Sequence, residues 1–192
     1  MIQDFLSERT AGWFQEDAPL IADAFYQDKD AIAAALAQNL AALLQQAQVL
    51  AATGKKGTAA YICISFLYTN LLRDIWQYRL DVYDQNFFLD QTECSGLWET
   101  EFAFNCLKTR LENLGQEIKG SIYANKVRQH HLNSVKMALG VQYHAVATVL
   151  TKNIIEDVID LLKEEHFLET SHLQIMMGEY KDLSLLLSSA KK

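Results

Sequence analysis

The sequence predicts an α+β fold in which helix dominates, and three observations carry that reading. Apolar residues recur at alternating spacings of three and four along several long stretches, a single proline (Pro19) leaves few breaks in them, and the stretch from Tyr61 to Asp90 switches to the period of a strand. Helices, then a small antiparallel hairpin or meander over about residues 60–90, then further long helices make the predicted order. An all-α bundle is the alternative, because Trp76, Leu80 and Tyr83 also fall at i, i+4 and i+7.

At the start, Ile2 to Phe14 and Leu20 to Gln27 read as short amphipathic helices separated by a turn near Asp17 to Pro19, where proline suits the first turn of a helix. Asp30 is placed to cap the next helix. Ile32, Leu36, Leu40, Leu43, Ala47 and Leu50 form its stripe, flanked by alanines that let another element approach closely. Gly54 stops this helix, and Lys55 and Lys56 suit the negative end of its dipole.

The sheet follows. Tyr61 to Thr69 is nearly continuous apolar, with β-branched Ile62 and Ile64, as in a strand buried on both faces. Between Ile75 and Asp84, Trp76, Tyr78, Leu80 and Val82 take one parity and Gln77, Arg79, Asp81 and Tyr83 the other, so one face is buried. Leu71 to Asp74 would link the two strands as a hairpin. After the turn chemistry of Asp84, Gln85 and Asn86, a third strand from Phe87 to Leu89 would complete the meander.

Beyond Asp90, QTECSG reads as a loop, and Ser95 is a candidate cap for a helix starting near Leu97. Phe104, Leu107, Leu111, Leu114, Ile118 and Ile122 make a seam through Gly115 and Gly120, which allows one kinked helix or two. The pattern runs on through Leu132, Val135 and Leu139 to Gly140, then resumes from Val146 to Leu162 as a further helix. Ser171 with Gln174 has the spacing of a capping box, predicting a last helix through Leu187.

Composition bounds the function. No linker, repeat or composition shift marks a boundary, so residues 1–192 are expected to form a single globular domain. The net charge of −7 and the lack of a basic patch argue against a nucleic-acid partner. The first residues carry Asp4 and Glu8 with no apolar core of a secretory signal, and the greasiest stretch, Ala31 to Ala52, is interrupted by five Asn and Gln residues. No membrane association is expected. Three cysteines without a CxxC pair fit reduced thiols better than a disulfide framework or a zinc site, and a cytoplasmic location follows.

Motifs for nucleotide binding, zinc hydrolysis, esterase and deaminase chemistry are all missing, which removes well-marked enzymes but not unusual ones. The best metal-like spacing, His166, Glu169 and His172, is broken by the helix start at Ser171, so neither a metal nor another cofactor is expected. His144 shares a helical face with Thr148 and Thr151. Arg79 lies among acids, where pairing with Asp81 or Asp74 is the plain reading and anion recognition the sharper one.

Two functions from different classes fit. The first is a non-catalytic cytosolic protein-interaction or structural module that self-associates, as a homodimer with helices after Leu97 at its interface. The second is a small-ligand binder or unmarked enzyme, with a pocket between the aromatic hairpin and the helix carrying His144; its candidate binding residues are Trp76, Tyr78, Arg79 and His144.

Overall fold

The computed structural model describes residues 2–164, 173–182 and 184–189. Its elements run α1 (Ile2–Thr10), α2 (Trp13–Gln27), α3 (Lys29–Ala52), β1 (Ala59–Phe66), α4 (Tyr68–Leu72), β2 (Gln77–Asp84), a 3-10 turn (Phe87–Leu89), β3 (Ser95–Glu99), α5 (Glu101–Lys119), α6 (Gln129–Glu164), β4 (Gln174–Glu179) and β5 (Ser184–Ser189). The fold is therefore α+β and helix-dominant, and an all-α bundle is not what forms. No helix among the described residues is long and apolar enough to cross a membrane.

The chain divides into two compact units, each assembled from three separated stretches. Met1–Gln27, Tyr68–Trp76 and Thr100–Ala147 make the first, which is helical; Asp28–Leu67, Gln77–Glu99 and Thr148–Lys192 make the second, which holds the sheet.

In the first unit the break between α1 and α2 falls at Gly12, whose φ of 82° is left-handed, and not at Asp17 to Pro19. Pro19 lies well inside α2. The turn around it is held by Asp17, a buried carboxylate that accepts from Arg110 Nε at 2.9 Å, from Arg110 Nη2 at 2.6 Å and from the Tyr143 hydroxyl at 2.5 Å. A fixed point there outweighs the one backbone bond that proline removes. Leu6, Ile21, Phe25, Leu107, Leu114 and Tyr143 are among the fully or nearly fully buried residues of this core.

The seam beginning at Phe104 forms two helices, α5 ending at Lys119 with Gly120 as its cap and α6 starting at Gln129. Gly140 does not interrupt α6, which runs unbroken through to Glu164 and supplies residues to both units. A side chain at Gly140 would collide with the methyls of buried Leu71, so the glycine serves close packing between α6 and α4.

In the second unit, α3 begins one residue before the expected cap. Its N-cap is Asp28, which contributes its backbone carbonyl to Ile32 N at 2.9 Å, and Asp30 falls in the first turn. The C-terminal end closes as read from the sequence: Gly54 at φ 71° lets its own N–H reach Ala51 O at 2.9 Å and Lys55 N reach Leu50 O at 3.0 Å.

The five strands form one mixed sheet in the order β3-β2-β1-β4-β5, with β1 and β4 parallel and the other neighbours antiparallel. Its inner layer is set by register. Ile62 lies between Val82 and Ile175, and Ile64 between Leu80 and Met177, all buried. Tyr78 faces Trp98 across β2 and β3, and α3 covers this region, with Leu43 packed where a side chain on Gly96 would stand.

Four expectations around the sheet are corrected. The strand beside β2 is Ser95–Glu99 and not Phe87–Leu89, because Phe87 takes a left-handed φ of 54° and turns the chain, its ring meeting Tyr61 and Tyr83. Ser95 consequently starts a strand and the helix begins after Thr100. The hairpin link is longer than Leu71 to Asp74, since residues 67–76 intervene and carry α4. Finally, no helix occupies the described part of 171–187: the period-two burial of Leu173, Ile175 and Met177 makes β4, seated in parallel on β1, and β5 follows. Pairing to a buried central strand overrides the local capping signal.

The three helical seams are buried in this chain, as at Leu36, Leu40, Leu107, Leu114, Ile154 and Val158. Only the end of the second seam, Ile122, stands out, at 80% exposure.

Candidate functional site

Two arrangements concentrate chemistry, one in each unit. In the first unit a cleft of about 400 Å³ is walled by α5 and α6. α5 contributes Lys108, Leu111 and Glu112. From α6 come Gln129, Leu132 and Lys136, and Trp76 and Asp74, from the segment after α4, complete the lining. Spacings of three and four on each helix put these side chains on facing surfaces. Trp76 is held by a near-parallel stack on Phe104, with centroids 5.8 Å apart at 25°.

Lys136 is nearly buried, and its ammonium donates to Asp74 Oδ1 at 2.5 Å. Asp74 stands at φ 58°, a left-handed position that closes α4 through Asp74 N to Leu71 O at 3.2 Å and Ile75 N to Asn70 O at 2.9 Å. Glycine is the ordinary residue there, and a side chain costs about 1–2 kcal/mol. The aspartate keeps the ammonium of Lys136 paired.

In the second unit, Cys63 lies opposite Asp81 and Ser65 opposite Arg79 on the sheet face away from the Ile62–Leu80 layer. Arg79 Nε donates to both Asp81 oxygens at 3.0 and 2.9 Å, and Nη2 donates to Asp81 Oδ1 and Glu93 Oε1 at 2.8 Å each. The guanidinium also lies 5.4 Å from the Tyr180 ring centroid. Bonding to Asp81 raises the Arg79 pKa further, against the lowering effect of burial. Glu93 is held below the usual carboxylate range, first by Arg79 and then by Ser95. With two carboxylates on one cation, this cluster has an acidic balance.

Of the expected binding residues, Trp76 lines the cleft of the first unit, and His144, in the same unit, is buried. Tyr78 is fully buried in the sheet core of the second unit, and Arg79 is spent on Asp81 and Glu93. Its partner is thus Asp81, while Asp74 pairs with Lys136. The triplet His166, Glu169 and His172 lies outside the described residues. Sequence reasoning passed over Lys136, which lies beside Val135 at the edge of the apolar stripe of Leu132, Val135 and Leu139.

The thiols are poor nucleophiles. Burial, then Asp81, pushes Cys63 up to about 12, and burial also raises Cys94 and Cys106. At neutral pH, alkylation of the folded protein by iodoacetamide should leave Cys63 and Cys94 unmodified until denaturant is added. Rapid native-state labelling of Cys63, read by peptide mass spectrometry, would contradict this. The chain matches no protein-family model, no curated protein and no solved structure.

Proposed function

We propose that the protein is a non-catalytic, cytoplasmic interaction module that associates with a second copy of itself, and that the contact is the β5 edge of its sheet. The observation that supports this is the character of that edge. Among the described residues β5 has no strand on its outer side, and Leu185 and Leu186 are 50% and 47% exposed. Native edges of this kind are usually guarded by charge or proline, yet Ser184–Ser189 has neither.

A second copy is the occupant that the sequence of the strand favours. Ser184-Leu185-Leu186-Leu187-Ser188 reads the same in both directions about Leu186. Antiparallel pairing across a two-fold axis therefore sets leucine against leucine and serine against serine, with no charged side chain on the strand to repel its copy. Most of the helical seams expected to close a dimer are buried within the chain, which favours the strand as the contact. Free cysteines suit a reducing compartment, and the acidic balance does not favour nucleic acid.

Sedimentation equilibrium at micromolar concentration should return twice the 21.8 kDa chain mass. Leu186→Lys should return one chain mass with an unchanged circular dichroism spectrum, because a lysine on an edge blocks pairing at little cost to the strand. A single-chain mass for the unaltered protein would overturn the proposal.

A further inference from the structure

We infer that the α5/α6 cleft of the first unit is a binding site for a small zwitterion with an aromatic body, of the aromatic α-amino acid class. Packing alone does not explain its lining. At position 136 a methionine would extend the apolar surface beside Leu132, Val135 and Leu139, and at position 74 a glycine would take φ 58° without strain. The chain instead places a nearly buried ammonium and a strained aspartate beside a solvent-open cleft of about 400 Å³. That volume is at the small end of the range for ligand sites. Strain of this kind gathers where a side chain must be presented in one place.

The charges then select the ligand. Lys108 and Lys136 stand with Asp74 and Glu112 in the lining, two charges of each sign, and such a balanced lining suits a ligand that itself carries both signs better than one with a net charge. Lys136 has three donor hydrogens and Asp74 Oδ1 takes one, which leaves donors for a carboxylate. Trp76, fixed by Phe104, with Leu111 and Leu132, offers a flat apolar wall for a ring.

Isothermal titration with L-phenylalanine should show saturable binding. The half-charged analogues 3-phenylpropionate and phenethylamine should each bind at least about tenfold more weakly. The double variant Asp74→Gly with Lys136→Met removes the ion pair while giving the turn its natural residue, and should keep its melting temperature but lose L-phenylalanine binding. Lys108→Met, at a half-buried position, serves if the double variant fails to fold, and should weaken binding about tenfold. Absence of binding at millimolar L-phenylalanine overturns the inference, as does equal affinity for either half-charged analogue or unchanged affinity in Lys108→Met.

Discussion

Asp90→Ala is expected to destabilise the protein by about 3–5 kcal/mol, because it strands a buried ammonium. The Lys56 side chain is fully buried and that of Asp90 is 3% exposed. Asp90 pairs with Lys56 through Oδ2, and accepts Asp84 N at 3.0 Å and Thr92 N at 2.9 Å; Lys56 also donates to Thr92 O at 2.9 Å. Three donors, the Lys56 ammonium and the Asp84 and Thr92 N–H groups, thus meet at one carboxylate. In the single variant only the Thr92 carbonyl remains for the ammonium. Urea unfolding should show the loss as a lower midpoint with an unchanged slope. Lys56→Met combined with Asp90→Ala should recover part of it, since no buried charge is then left over.

The same carboxylate gives the loss a pH signature. Burial by itself raises the Asp90 pKa, but the Lys56 bond and the Asp84 and Thr92 N–H groups outweigh it and hold the carboxyl below its ordinary value. A depressed folded-state pKa contributes stability that is present above the unfolded value of about 3.9 and is lost as pH falls through the folded one. The stability gap between the parent and Asp90→Ala should therefore be full near neutrality and narrow below about pH 4. A gap that stays constant on acidification would rule out the ion pair as its source.

Asp17→Ala is expected to cost about 2–4 kcal/mol, somewhat less because Arg110 keeps 26% of its side chain in solvent and retains Glu16 at 2.8 Å. Asp17 itself is buried, and its loss leaves the Tyr143 hydroxyl inside the helical core without its carboxylate acceptor. Burial, then the bond to Asp17, raises the Tyr143 pKa, so the phenol stays a donor across the accessible range. Tyr143→Phe should cost only about 1 kcal/mol, because it removes one bond and leaves the Arg110 pair in place. Thermal unfolding of the two variants separates them. An Asp17→Ala protein as stable as Tyr143→Phe would show that the Arg110 pair adds nothing to holding α2 around Pro19.

What the sequence determined by itself was the set of elements whose local period has no local rival. The stripe of α3 with its glycine stop, the strand at Gln77–Asp84 and the buried strand before it are all written in the spacing of neighbouring residues. The identity of a helix breaker was only half legible: Gly12 and Pro19 are both breakers in isolation, and Asp17 held by Arg110, 93 residues away, decided that the helix passes through the proline. The last strands were misread for a related reason. Leu173 to Leu187 carries both a capping spacing and a period-two pattern, and only β1, more than 100 residues earlier, supplies the partner that makes the second one win. The candidate site was legible at Trp76 but not at Asp74, Lys108 and Lys136, because a cleft is a relation between α5 and α6 faces that no window of sequence contains. Charge pairs such as Lys56 with Asp90 are of the same kind, since burial, which sets their energy, exists only once the chain has folded.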